Sequence, residues 1–336
     1  MLSGQMHKYL IFRTDRIGDF IFSNILINSI KAKNKNNIID IVCSTYNHDY
    51  IKRFNNIRKL YILDKKRFYS NVENIFKINK TNYDYIIILD AKNRSIFFSF
   101  FLKAKFKITL IKNFKPIFLI NFFFNKYLFN SEINIQLTNF TTLANYLNLQ
   151  IPNRLEYFKN YNIAKCKYLS LTNNCVLLHL DEKWFKGYYH SDFTYMDINI
   201  HNFNLLINII SSKFKKKIVI TTGKIEIKNL NEIIEVHFYK KKDNIYYSKK
   251  NKRNIIFIKN TTFNEIESIV KSSSLIICCE GAISHVSNAF NIKTLALVEK
   301  KFSKTVRHWT GHMKNINYIY RNSLKLVCNE IYNIKI

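Results

Sequence analysis

Short β-branched or apolar runs alternate with longer helical patterns from Lys8 almost to the C-terminus, and this alternation most narrows what the chain can fold into. "KYLIFR", "NIIDIVCS", "KLYILD", "YDYIIILD" and "KFKITLI" read as strands in the first half. The spacing predicts helices over 20–33, over "RSIFFSFFLKA" and over 135–149, where Pro152 ends the pattern. "YDYIIILD" is continuously apolar at its centre, as a strand covered on both faces requires. After a polar stretch the order restarts with "CVLLHL", a helix over 201–214, "KKIVITTG", "NIIFIK", the helix "TTFNEIESIVKSS", "SLIICC", a helix over 284–290 and "TLALV". Thr262 or Asn264 is the expected cap of the 261–273 helix. The repeated strand–helix order predicts two Rossmann-like, doubly wound parallel-sheet α/β domains, 1–155 and 175–318, joined by a linker over 156–174. The lysine run 239–254 reads as an exposed loop.

With 47% hydrophobic residues in 336, both domains can bury a core. A formal net charge of +30 favours anionic partners: phosphorylated glycolipid, anionic membrane or nucleic acid. The third is disfavoured, because no RNP, helix-turn-helix or zinc-finger pattern is present. The six cysteines form no CxxC pair and no Cys/His ligand spacing, so a reducing cytosol and no metal site are expected. Lys8 and Arg13 interrupt the short apolar core near the N-terminus, which argues against a secretory signal. No segment reaches the roughly 18 uncharged apolar residues of a membrane span. The aromatic, lysine-studded stretch 96–129 reads as domain core plus an exposed amphipathic face suited to a lipid-anchored acceptor. His308 and His312 lie four apart in "HWTGH", but without a third ligand they read as core or surface histidines.

In open parallel sheets ligands bind beyond the carboxyl ends of the strands. Three of the six glycines fall there: Gly18, Gly223 and Gly281. None belongs to a GxGxxG or GxxxxGK[ST] motif, which disfavours a dinucleotide fingerprint or a P-loop. In "FRTDRIGDFIFSNIL" Asp19 directly follows Gly18 at a predicted helix start. From the residues alone it is either a helix cap or a catalytic base.

"FRTDRIGDFIFSNILINSIKA" resembles the opening of the ADP-heptose:lipopolysaccharide heptosyltransferases, glycosyltransferase family nine. "FNEIESIVKSSSLIICCEGAISHVSNAFNIKTLALV" resembles their helix, apolar strand, D-T-G-x-x-H and small-residue helix, and "VLLHLDEKWF" their strand opening the second domain. The segments occur in the family's order across nearly the whole chain. Two departures stand out: D-T-G is Glu280, Gly281 and Ala282 here, and G-V-P-T has become "NIKT".

The resemblance implies a GT-B fold, with the two domains facing across a cleft and residues 319–336 forming a helix that returns to the first. It implies an inverting transfer of heptose or a related sugar from a nucleotide diphosphate, ADP-heptose foremost. The acceptor would be an anionic glycolipid of the lipopolysaccharide or lipooligosaccharide inner core, reached by a cytoplasmic protein peripheral on the inner leaflet. Asp19 would be the base, with Asp15, Arg16 and Gly18 on the acceptor side. Lys183, Glu226, Glu280, Gly281, Ala282, Ser284 and His285 would bind the donor, Lys183 neutralising the diphosphate without a metal or other cofactor. Two alternatives stay open: a degenerate member that binds glycolipid or a partner without turnover, and a basic nucleic-acid-binding protein.

Overall fold

The structure, a computed structural model, describes residues 5–335 except 65, 67, 112–116, 131–133, 153–154, 186–191 and 251–253. It divides into two compact units, one of residues up to Asn162 together with His308–His312, the other of the remainder.

The first unit carries a six-stranded sheet of β1 (Lys8–Arg13), β2 (Ile38–Cys43), β3 (Lys59–Ile62), β4 (Tyr83–Ile88), β5 (Ala104–Ile111) and β6 (Lys126–Phe129). All pairings are parallel, in the order β3-β2-β1-β4-β5-β6. The order reverses between β1 and β4, so the loops leaving these two strands flank the point where doubly wound sheets bind ligands. Leu10, Phe12, Val42, Ile86, Ile88 and Ile111 place their side chains in one core cluster.

The helix Ile17–Lys33 starts three residues before the expected Phe20, which puts Gly18 and Asp19 inside its first turn. It is buried nearly all round, polar residues included. Asn24 and Asn28 donate their amide nitrogens to the carbonyls of Tyr157 and Glu156. Phe54 bridges Tyr161 and Arg53 bonds the Asn162 carbonyl, so residues 156–162 belong to the first unit rather than to a linker beginning at 156.

The second unit adds β7 (Val176–His179), β8 (Ile218–Thr221), β9 (Phe238–Lys242), β10 (Ile245–Ser248), β11 (Ile255–Ile258), β12 (Leu275–Cys279), β13 (Lys293–Val298) and β14 (Ile316–Tyr320). Their order is β14-β13-β12-β7-β8-β11-β10-β9. Six strands are parallel and reverse direction of build between β7 and β12, repeating the logic of the first sheet.

The lysine run is not a loop. Its described part forms β9 and β10, an antiparallel hairpin on the sheet edge with a bulge at Ile245/Tyr246. Asp243 turns it in the left-handed region (φ 47°), which aspartate tolerates, and Asn244 bonds the Lys259 carbonyl at 2.7 Å. Residues 251–253 of the run lie outside the described residues. Thr262 caps the helix Phe263–Ser272 through a reciprocal Thr262–Glu265 box.

The C-terminal helix Leu324–Asn333 belongs to the second unit, not the first. Leu324, Val327, Cys328 and Ile331 share a core with Phe203, Leu206 and Ile210 of the helix Phe203–Phe214, and burying that apolar stripe fixes its place. No helix among the described residues is long and apolar enough to cross a membrane.

Candidate functional site

Each unit gathers polar side chains where its sheet order reverses. In the first unit the chain leaves β1 through Thr14, Asp15 and Arg16. Arg13, 1% exposed, folds back under this loop. Its Nε and Nη2 donate to the Asp19 carbonyl, both at 3.1 Å, and its Nη1 donates to the Leu89 carbonyl at 2.8 Å. The same Nη1 lies 3.2 Å from Asp15 Oδ2. Trp309 sits 5.8 Å from the guanidinium, and His308 is held by the Asn134 carbonyl.

Asp90 ends the strand side of the β4 loop and is fully engaged. Its Oδ2 accepts from Thr14 Oγ1 at 2.6 Å, Thr14 N at 3.2 Å and Ser95 Oγ at 2.7 Å, while Oδ1 accepts from Lys92 N at 3.2 Å. Lys92 Nζ reaches back to the Thr14 carbonyl at 3.1 Å. Asp90 is therefore a structural clasp between the two loops. Ala91, in the left-handed region (φ 51°), follows it, a conformation costly for a residue with Cβ.

The two expected acceptor-side aspartates differ. Asp19 Oδ2 accepts from Arg16 N at 3.1 Å and closes the helix start, while its Oδ1 accepts no hydrogen bond from a described residue. Asp19 thus caps with one oxygen and keeps the other available. Asp15 has one oxygen on Arg13, and its Oδ1 is buried without a partner. Burial pushes the Asp15 pKa up to about 7 against the pull of Arg13, and Asp19 and Asp90 push the same way. Arg16 is exposed, and Gly18 is a buried helical residue rather than part of the turn.

In the second unit the loops leaving β7 and β12 meet. Asp181 starts a single 3-10 turn, Glu182–Trp184, by accepting from Lys183 N at 3.1 Å. Burial raises the Asp181 pKa and lowers that of His179 to about 4, so His179 is neutral on Thr221 Oγ1 at 3.0 Å. Trp184 is wholly buried and roots the turn in the core. Lys183 extends across the sheet reversal and donates Nζ to the Glu280 carbonyl. Gly281 follows with φ 158°, and a Cβ there would stand 2.9 Å from Lys183 Nζ. The glycine that the sequence places one position early is what makes room for the ammonium.

Gly281 is also the N-cap of the helix Ala282–Ala289, whose first N–H groups have no carbonyl partner within the helix. Ser284 Oγ is already committed, donating to the Gly281 carbonyl at 2.7 Å and accepting from Gly281 N at 3.3 Å. His285 is buried and Ala282 half-buried. Glu226 is apart from this cluster: it is exposed at the end of β8 and accepts from Asn231 Nδ2 at 3.0 Å. A Cβ at Gly223 would meet nothing within 4 Å, so no steric demand explains that glycine.

Arg321 and Glu299 were not foreseen. Arg321, 6% exposed, donates to the Lys183 carbonyl at 2.6 Å, to the Thr194 carbonyl at 3.1 Å and to Cys279 Sγ at 3.3 Å. Glu299 Oε2 lies 3.7 Å from its Nε and accepts from Thr194 N at 2.7 Å. Arg321 of this buried pair holds the main chain of Lys183 in place. An arginine following "NYIY" carries no local pattern that would have revealed it.

Two mostly parallel α/β sheets, each with its polar cluster at the sheet reversal, define the chain as a GT-B architecture. Solved structures of that class match it over almost its whole length. Heptosyltransferase WaaC of E. coli with ADP has a TM-score of 0.70 at 11% identity, covering 95% of both chains. A glycosyl transferase family 9 protein of Veillonella parvula has a TM-score of 0.69 at 12% identity, covering 95% of this chain and 87% of that one. The E. coli ADP-heptose lps heptosyltransferase II has a TM-score of 0.67 at 13% identity, covering 96% and 97%. At such identities the likeness is one of fold. No protein-family model and no curated protein matches the sequence.

Proposed function

We propose that this protein is an inverting, metal-independent glycosyltransferase that moves a heptose or related sugar from a nucleotide diphosphate, ADP-heptose foremost, to an anionic inner-core glycolipid. The observation that carries the reading is the Lys183–Glu280–Gly281 arrangement, a cation beside a helix start in a glycine-opened space at the sheet reversal. The match to a heptosyltransferase solved with ADP supports it, as does the free Oδ1 of Asp19 in the other unit.

In this reading the acceptor hydroxyl gives its proton to Asp19 and its oxygen bonds the anomeric carbon. The bond from that carbon to the diphosphate breaks, its electron pair leaving on the diphosphate. Lys183 and the N–H groups at Ala282 and Ile283 stabilise the charge that develops there. The glycolipid acceptor places the protein on the cytoplasmic leaflet as a peripheral enzyme.

The test is transfer from ADP-heptose to a purified inner-core acceptor, with and without chelator. Chelator-insensitive transfer with inversion supports the reading. Tight donor binding without transfer would instead assign the chain to a binding role, and absence of any nucleotide-sugar binding would remove both.

A further inference from the structure

From Ala91 to Ser131 the chain has eight lysines and arginines, eleven phenylalanines and no acidic residue. Among the described phenylalanines, burial separates core rings from exposed ones. Phe98 and Phe124 enter the first unit's core with Ile96 and Ile120, while Phe97, Phe101 and Phe122 stand out of the helices Asn93–Phe100 and Ile117–Phe123 or just past them. Phe122 is 81% exposed, Phe97 61% and Phe101 53%.

The exposed rings are one surface. Phe101 lies 5.3 Å from Phe97, Phe97 lies 6.1 Å from Phe100, and Phe100 stacks on Phe123 at 4.2 Å. Phe123 in turn contacts Phe122 at 5.0 Å. Asn79 ties a third element to this face, bonding the Phe101 carbonyl and the Lys103 amide, both at 2.9 Å, and so sets exposed Lys80 beside exposed Lys103. Isolated exposed rings are ordinary, but a linked set of them rimmed by lysines is a binding surface.

We propose that this ring-and-lysine face docks on an anionic phospholipid bilayer. Rings seated at the headgroup–acyl boundary with cations at headgroup level are the two contributions by which peripheral proteins hold such membranes. Residues 91–131 hold no acid, and Glu73, on the neighbouring helix Phe68–Asn79, is paired with Lys77 at 2.6 Å. The proposal takes up the membrane placement of the transferase reading and assigns it a surface. Because vesicle binding is measured without any sugar substrate, either idea can fail alone.

The full chain is sedimented with phosphatidylcholine vesicles, with and without phosphatidylglycerol, and compared with Phe97→Ser/Phe122→Ser and Lys80→Glu/Lys103→Glu. The wild type should sediment only with the anionic vesicles and be released by salt. Losing two inserted rings should weaken partition by about tenfold or more, and the lysine pair should lose the preference for phosphatidylglycerol. Unchanged melting temperatures would show that both variants are folded. Wild-type protein remaining in the supernatant, or a phenylalanine variant that binds as the wild type does, would overturn the proposal. So would light scattering that shows a dimer broken by the same substitutions, since the face would then belong to a second copy.

Discussion

Arg13 grips Asp19 by its main chain, two guanidinium nitrogens sharing one carbonyl oxygen at 3.1 Å, while the Asp19 side chain turns away to the helix start. Removing the guanidinium would strand that carbonyl, the Leu89 carbonyl and a carboxylate. Arg13→Met should therefore cost about 2–4 kcal/mol, chiefly by leaving two buried carbonyls unsatisfied. Urea unfolding reads this directly.

Asp19 is expected to cap and to act as base. Asparagine caps a helix about as well as aspartate but takes no proton. Asp19→Asn should keep its stability and donor affinity while turnover falls by about 10²–10⁴-fold. Near-wild-type turnover in that variant would leave Asp19 with capping alone.

Asp15 makes stability depend on pH in an unusual direction. Its folded pKa of about 7 lies above the unfolded carboxylate value, so between those values the native state holds the extra proton. Stability should therefore fall as pH rises from about 4 to about 7 and then level off, by an amount on the order of a few kcal/mol. Arg13, Asp19, Asp90 and Lys92 face the same carboxyl and are common to both proteins in the comparison. Subtracting the pH–stability curve of Asp15→Asn from that of the wild type isolates the slope. A flat difference would show that Asp15 stays ionised.

Donor affinity should respond to Lys183 and Gly281 together. In the proposed reading, Lys183→Ala would remove a charge-assisted phosphate contact of about 1.5–3 kcal/mol, or roughly 10–150-fold in affinity. Gly281→Ala puts a carbon 2.9 Å from the present position of Nζ and should displace the ammonium, weakening nucleotide-sugar binding in calorimetry while Lys183 remains. Once Lys183 is gone, Gly281→Ala should add little, because its effect acts through the lysine.

Arg321→Met tests the buried brace of the second unit. It leaves Glu299 inside without its partner and frees the Lys183 carbonyl, so a loss of about 3 kcal/mol or more in stability is expected. Glu299→Gln/Arg321→Met, which removes both charges, should recover part of that loss.

The strands were legible because each doubly wound sheet writes its centre as an uninterrupted apolar run, as in "YIII" of β4 and "LIICC" of β12. The Gly18–Asp19 and Glu280–Gly281 segments could be found because loops at carboxyl ends follow those runs directly. β6 and the helix Ile117–Phe123 were missed, since the aromatic-rich stretch 116–129, broken only by Asn121, Asn125 and Lys126, shows neither a period of 2 nor one of 3.6. The hairpin of β9 and β10 was hidden by lysines that point to solvent on an edge strand. The Arg13, Asp90 and Arg321 clasps join residues 42 to 138 positions apart or cross from strand to strand, and nothing local marks a partner at that range.

That lysine-bearing hairpin has a further consequence. A sheet whose outer strand is bare offers its unpaired N–H and C=O groups to any passing chain. Here the outermost strand, β9, carries Lys240, Lys241 and Lys242 in a row, all exposed, and the bulge at Ile245/Tyr246 bends it out of flat register. Two such edges approaching each other would bring six ammonium groups together before one backbone bond could form. The hairpin is thus a terminator: it keeps an eight-stranded sheet from growing into a ninth strand borrowed from a neighbour, in a chain otherwise rich in the isoleucine and phenylalanine that fibrils favour.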